Sequence, residues 1–164
     1  MTLWRRNLIG AAVAVAAAAI IIGTQLYPPW SDYRDTVVPA HVVAPRDKLM
    51  AYGQTWQLGE IRHLNTSSNP IAPKLPGGTT LFVVTIDRSG SSTLEACVGV
   101  LTDGLRRWSA QRPGQFAAPV TDGATSVCGK PGRLQLSFLL PGDAVPTAVD
   151  ITDFTGRIFL RVLL

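Results

Sequence analysis

Cys97 and Cys128 are the two cysteines of this 164-residue chain, and their thiols are its most reactive side chains. Outside the cytoplasm an isolated pair most simply forms a disulfide, whereas zinc needs four ligands, or three and a water. A bridge across this spacing stabilises the fold by about 3.7 kcal/mol in the loop-entropy account. We therefore predict a Cys97–Cys128 disulfide and no metal site.

The two histidines are weak candidates for chemistry. His41 lies in a proline-containing stretch, where we expect it to be solvated, and His63 alternates with Arg62 and Leu64 on a predicted strand. The sequence contains no G-x-S-x-G, H-E-x-x-H or P-loop pattern. We predict no catalytic residue, no cofactor and no enzyme activity.

Three aspartates near the C-terminus, Asp143, Asp150 and Asp153, raise the question of calcium. A calcium site needs six to eight oxygen ligands in a defined arrangement. Scattered aspartates more simply accept hydrogen bonds from their own backbone in turns. We favour the turn interpretation and predict no bound metal.

Arg106, Arg107 and Trp108 form a possible contact patch for an acidic lipid or polymer. Strand alternation offers a second interpretation, in which Arg106 faces water while Trp108 packs inside. We favour the second interpretation.

The longest apolar stretch covers residues 8–26 and carries no charge. As a helix it spans roughly 29 Å, about the hydrocarbon thickness of a bilayer. The absence of an A-x-A cleavage pattern just beyond it favours a retained signal anchor over a cleaved signal peptide, although cleavage stays open. Pro28 and Pro29 are expected to end the helix, since proline cannot continue one.

Charge sets the expected orientation and argues against nucleic acid. Arg5 and Arg6 precede the apolar stretch, so the positive-inside rule places the N-terminus in the cytoplasm and the rest of the chain outside. These two account for half of the formal net charge of +4, and no later basic run exceeds Arg106-Arg107. Because nucleic-acid binders normally show a basic stripe, we predict no nucleic-acid partner.

Beyond the apolar stretch the pattern is that of short strands. The clearest is the β-branched run at 79–87, and others are expected at 49–64 (one long strand or a kinked pair, with bulges at Gly53 or Gly59), 94–102, 105–110, 125–128, 134–140, 149–152 and 158–164. Asp103-Gly104 predicts a type I′ hairpin. Seven to nine strands with no helix past residue 30 indicate an all-β antiparallel sandwich or barrel.

Several of these segments resemble a group of bacterial surface proteins. Residues 79–87, the Leu101-Thr102-Asp103-Gly104 hairpin followed by Trp108, and the strands at 131–140 and 149–164 are similar to an immunoglobulin-like domain of unknown function found behind signal anchors in actinobacterial and Gram-positive proteins. The resemblance covers about residues 49–164. It implies an immunoglobulin-like antiparallel β-sandwich and implies no activity. The cysteine spacing is shorter than the immunoglobulin hallmark, so the sequence leaves open which sheet elements the bridge links, and a bridge between neighbouring elements is one alternative.

The predicted organisation is a cytoplasmic N-terminus (1–7), a transmembrane signal anchor (8–27), a proline-containing stalk (28–48) and an extracytoplasmic β-sandwich (49–164). The favoured function is a non-enzymatic binding or accessory module of the cell envelope, anchored by one membrane pass and partnered by another envelope protein or component. The first alternative is a carrier of lipid or a small ligand with a cavity between the sheets. The weakest alternative is an envelope hydrolase.

Overall fold

A computed structural model describes residues 3–65, 74–91, 93–94, 96–113, 115–130 and 132–164. The chain divides into two compact units, one ending at Val38 and the other Pro39–Leu164.

The N-terminal unit is helical from Leu3 to Val37, and Val38 is extended. Helix α1 (Leu3–Ile21) continues through a π-helical segment (Ile22–Leu26) into helix α2 (Tyr27–Val37). The apolar helix from Asn7 is long enough to cross a membrane, and a helix of this kind near the N-terminus can be a membrane anchor or a signal sequence.

The prediction that Pro28 and Pro29 end the helix is wrong. The backbone N–H of Tyr27 donates to the carbonyl of Ile22, five residues back, which closes the π-helical segment. The two prolines then occupy the first turn of α2, where a missing N–H donor is tolerated. The first half of the predicted stalk is therefore helical, and helix continues past residue 30 to Val37.

The C-terminal unit has two five-stranded sheets among its described residues. The strands are β1 His41–Val43, β2 Lys48–Ala51, β3 Gln54–Leu64, β4 Thr79–Gly90, β5 Val98–Thr102, β6 Arg107–Ser109, β7 Ala124–Thr125, β8 Arg133–Pro141, β9 Ala148–Thr152 and β10 Ile158–Leu163. Sheet I has the order β1-β10-β9-β5-β6, and sheet II has the order β2-β3-β4-β8-β7.

The β-sandwich prediction is confirmed, whereas its immunoglobulin-like character is not. Two edge pairs, β1 with β10 and β7 with β8, are parallel, so the sandwich is not wholly antiparallel. Neither edge pair is joined by a tight hairpin, so no turn imposes the antiparallel direction. Because β1 and β2 belong to the sheets, the sandwich begins within the second half of the predicted stalk.

Alternating side chains of both sheets form the core. Fully or nearly fully buried members include Val84 and Ile86 on β4, Leu134, Leu136, Phe138 and Leu140 on β8, Val149 and Ile151 on β9, and Leu160 and Val162 on β10. Trp56 on β3 is completely buried and its indole N–H donates to the Ala51 carbonyl at 3.0 Å. Strand β10 lies between β1 and β9, so the apolar C-terminal segment is a buried sheet strand.

The long 49–64 segment folds as a hairpin of β2 and β3 around Tyr52 and Gly53. Both turn residues have positive φ, 52° and 73°. The β3–β4 register shifts between Leu58 and Ile61, which places Gly59 within the irregularity. Of the two glycines expected at bulges, Gly59 therefore lies at one, and Gly53 lies in a turn.

Candidate binding cleft

A cleft of about 650 Å³ opens at one edge of the sandwich. Its walls come from the start of β5, the end of β6, the middle of β8, the connections from β6 to β7 and from β7 to β8, and the turn between β9 and β10. Most of its lining is apolar. The lining includes Cys97, Val98, Gly99, Ala110, Arg112, Pro113, Val120, Cys128, Gln135, Leu136 and Ser137.

The predicted disulfide forms part of this wall. Cys97 immediately precedes β5 of sheet I, and Cys128 lies in the connection from β7 to β8 of sheet II; the two are bonded, with Cα atoms 5.6 Å apart. The bridge therefore links the two sheets at one end of the sandwich. The alternative of a bridge between neighbouring elements is wrong, because β5 and β7 belong to different sheets despite their short sequence separation of 31.

A buried arginine supports the same connection from the other side. The guanidinium of Arg88, at the end of β4, donates to the carbonyls of Cys128 at 2.8 Å, Lys130 at 2.8 Å and Gly132 at 3.1 Å. It also lies 5.5 Å from the ring centroid of Trp56. Desolvation by burial lowers the pKa of Arg88, and the three carbonyls accept from three of its five N–H donors. Arg88 thus fixes the backbone that carries Cys128.

Two buried polar side chains of β8 hold the β6–β7 connection. Gln135 donates to the Pro119 carbonyl at 2.9 Å and accepts from the Thr121 N–H, while the Ser137 hydroxyl accepts from the Ala118 N–H at 3.1 Å. The Ser137 carbonyl also accepts from the Gln111 N–H at 2.7 Å. Strand β7 pairs only with Arg133 and Leu134 at the start of β8. The bonds to the β6–β7 connection therefore cover the rest of that edge of β8.

Gly99 lets the sheets approach closely beside the cleft. A Cβ at this position would lie 2.5 Å from Cδ1 of Leu136 on the facing sheet. Both residues line the cleft. Glycine at position 99 therefore sets the distance between β5 and β8 there.

The predicted contact patch lies outside the cleft lining, and two of its members are paired within the chain. Arg106 forms ion pairs with Asp103 at 2.8 Å and Asp143 at 3.1 Å, and its guanidinium lies 5.2 Å from the ring centroid of Trp108. Trp108 is partly buried and packs against the core. This agrees with the favoured interpretation, in which Arg106 is exposed and Trp108 packs inside.

The β5–β6 hairpin carries a strongly shifted carboxyl group. Asp103 accepts hydrogen bonds from the backbone N–H and the guanidinium of Arg106, and from the N–H of Leu105. Led by the Arg106 backbone bond, these interactions lower the pKa of Asp103 to about 2. The hairpin was predicted correctly, but the predicted type I′ turn is wrong, because Gly104 has φ of 96° whereas Asp103 does not have positive φ.

The second arginine of the patch contributes to a buried ion-pair group. Asp150 on β9 is fully buried and accepts from Arg161 at 2.6 and 2.9 Å, and Arg107 lies 3.5 Å from its second oxygen. The hydrogen bonds to Asp150 raise the pKa of Arg161. Asp150 was expected in a turn; it lies in a strand and is held by two guanidinium groups.

The other singled-out residues have separate surroundings. Asp153 does accept from backbone N–H groups of its own turn, those of Thr155 and Arg157. His41 lies in β1, half-buried, with its ring 5.5 Å from that of Tyr52, so it is not a solvated stalk residue. His63 is exposed, 4.7 Å from the Phe82 ring. Within the described ranges no three His, Cys, Asp or Glu side chains group as metal ligands.

The disulfide was predictable from the sequence, whereas the contributions of Arg88 and Gly99 to the cleft were not predicted. Arg88 lies 40 or more residues from the carbonyls it binds, and no local pattern marks a buried arginine. The isolated Gly99 inside an apolar strand was the one available signal, since such a glycine suggests close backbone approach.

No protein-family model matches the sequence, and no curated protein is significantly similar to it. One solved structure that is similar is an uncharacterized beta-sandwich protein from Clostridium difficile 630, at 10% sequence identity and a TM-score of 0.38. The match covers 75% of this chain and 91% of that one. At this level of similarity the description of the sandwich rests on the sheets of this chain, and the resemblance to Gram-positive surface proteins gains no support.

Proposed function

We propose that this chain is a single-pass membrane protein whose sandwich is a non-enzymatic binding module of the cell envelope, with the edge cleft as its binding site. The observation that carries the proposal is the cleft itself, about 650 Å³ and mostly apolar in lining. Ligand sites are typically concave, apolar and about 300–1,000 Å³ in volume, with a few polar groups that orient the ligand.

The support around the cleft favours a preformed site. A disulfide, the three hydrogen bonds of Arg88 and the side chains of Gln135 and Ser137 all fix backbone that borders it. Binding to a rigid cavity avoids the entropic cost of ordering its walls. The alternative from the sequence, a carrier of lipid or a small ligand with a cavity between the sheets, stays a prediction; the cleft takes its lining from β5 of sheet I and β8 of sheet II.

The location is proposed from the N-terminal unit. The apolar helix and the arginines before it favour an anchor with the sandwich outside the cytoplasm. The variant Leu105→Cys tests this, because Leu105 is 96% exposed on the sandwich and the native cysteines are bonded. We expect a membrane-impermeant maleimide to label this variant on intact cells without reduction; labelling only after lysis would refute the orientation.

The binding role is tested by screening small soluble fragments against the isotope-labelled full chain in phosphatidylcholine nanodiscs. We expect hits that shift the backbone amide resonances of Gly99, Ala110 and Ala118. Val120→Trp, which adds bulk to the lining, should abolish these shifts, whereas Val145→Trp, the same change at an exposed residue outside the lining, should not. A screen without any hit at these amides would count against the proposal.

A further inference from the structure

One charged residue of the cleft lining has no ion-pair partner among the described residues of the chain. Arg112 is the single charged residue among the described residues that line it. Arg112 is exposed, and in the described part of the chain its guanidinium has no ion pair or hydrogen bond; its backbone carbonyl accepts from the Gln115 N–H. By contrast, Arg106, Arg107 and Arg161 are each paired with an aspartate.

The buried polar side chains of the lining are already engaged. Gln135 and Ser137 hydrogen-bond to the backbone of the β6–β7 connection and so serve to hold it. Much of what remains for a ligand is apolar surface from Val98, Ala110, Pro113, Val120 and Leu136. A ligand entering here meets apolar residues from several lining elements, the polar residues Ser109, Gln111 and Ser126, and one arginine.

We propose that the cleft binds an amphiphilic anion, with its hydrocarbon part against Val98, Val120 and Leu136 and its carboxylate or phosphate beside Arg112. Guanidinium groups pair with carboxylates and phosphates in a bidentate geometry that an ammonium cannot reproduce. Burial of a hydrocarbon chain against the apolar lining is favourable, because it removes apolar surface from water. This inference rests on the proposed role of the cleft as the binding site. A free alkyl carboxylate and an anionic bilayer lipid both present the required chemistry.

The test uses the full chain in phosphatidylcholine nanodiscs, titrated with hexanoate, octanoate and 1-octanol while the cleft amides are followed by NMR. We expect octanoate to bind about 15-fold more tightly than hexanoate, because each buried methylene contributes about fourfold. Arg112→Gln should weaken octanoate about tenfold, the loss expected for a charged hydrogen bond, and leave 1-octanol unchanged. Lys48→Gln is the matched control, since Lys48 is exposed on β2 and lies outside the lining. Partition of the probe into the bilayer is the same for both variants and cancels in the comparison.

A second arm identifies the source of the anion. Nanodiscs that contain phosphatidylglycerol and no added carboxylate should shift the cleft amides, with Arg112→Gln reducing the shift, if a bilayer lipid is the ligand. Shifts seen with octanoate alone identify a free amphiphile, and either result supports the proposal.

Two results would overturn the proposal and can be told apart. Equal affinities of octanoate and 1-octanol in the cleft, unaffected by Arg112→Gln, would reject the anion and leave the binding role intact. Silence of the cleft amides toward these probes and toward the fragment screen would reject both.

Discussion

Removal of the Cys97–Cys128 bridge is the perturbation with the clearest expected magnitude. The bridge closes a sequence separation of 31, for which restriction of the unfolded chain is worth about 3.7 kcal/mol at 25 °C. Measured values often fall short of that figure. We therefore expect Cys97→Ala with Cys128→Ala to lower the free energy of unfolding of the sandwich by about 2–4 kcal/mol.

Urea denaturation of the full chain in nanodiscs measures this loss. Trp56 is fully buried in the sandwich core, and its fluorescence should report the transition. With a urea dependence of about 2 kcal/mol/M, the midpoint should fall by about 1–2 M. Wild-type protein in reductant is the control, because it loses the bridge without losing the sulfur atoms. The difference in the free energy of unfolding between the alanine variant and the reduced wild-type protein therefore measures the packing of the buried Cys128 side chain.

A midpoint that moves by less than the equivalent of 1 kcal/mol in both the variant and the reduced protein would refute this reasoning. It would mean that the two sheets are held at this end by other contacts, and that the unfolded chain gains little freedom when the bridge is lost. A loss only in the alanine variant would assign the effect to a cavity at Cys128 instead.

Three further changes test the supports of the cleft and the hairpin beside it. Arg88→Met should lower the free energy of unfolding by about 2–4 kcal/mol in the same assay, because it leaves three carbonyls without their donor, one of them in a buried hydrogen bond. Arg88→Lys should recover only part of that free energy, since one ammonium group cannot reach all three carbonyls. Gly99→Ala should cost about 1–3 kcal/mol and shift the methyl resonances of Leu136, and unchanged resonances would contradict the close approach. Asp103 has its pKa lowered to about 2 from the ordinary 3.8, so the folded state binds fewer protons than the unfolded state; its contribution to stability is full above pH 4 and is lost as the pH falls toward 2. Asp103→Asn should therefore flatten the decline of stability between pH 4 and pH 2, and an unaltered acid limb would exclude Asp103 as its source.

The strands were predictable where alternation or β-branching was strong. The run at 79–87 became β4 and the one at 134–140 became β8, each extended by a few residues. The turn after β2 was not predicted, because Tyr52 adopts positive φ, which is rare for a bulky residue, and Gly53 alone also fits a bulge. The helix end predicted at Pro28 and Pro29 was wrong because the π-helical segment before them places both prolines in the first turn of α2, and no sequence pattern indicates that segment.

The cleft was less predictable than the sheets because its supports are long-range. The disulfide followed from two cysteines alone, without any strand assignment. The side chains that hold the cleft depend on which strands become neighbours: Arg88 reaches the β7–β8 connection because β4 pairs with β8, and Gly99 faces Leu136 because the two sheets stack. Neither pairing is encoded in a short window of sequence.

The residues around Cys128 connect the shape of the cleft to the compartment. This segment is bonded to sheet I through Cys97 and to sheet II through Arg88, so each sheet contributes one independent constraint to the same wall. Arg88 acts at any redox potential, whereas the bridge persists only where thiols are not kept reduced. A sandwich on the outer side of the membrane would retain both constraints, and one in the cytoplasm would keep the arginine alone. The proposed location and the shape of the cleft are therefore linked: the orientation inferred from Arg5 and Arg6 is also the one in which both constraints on the proposed binding site persist.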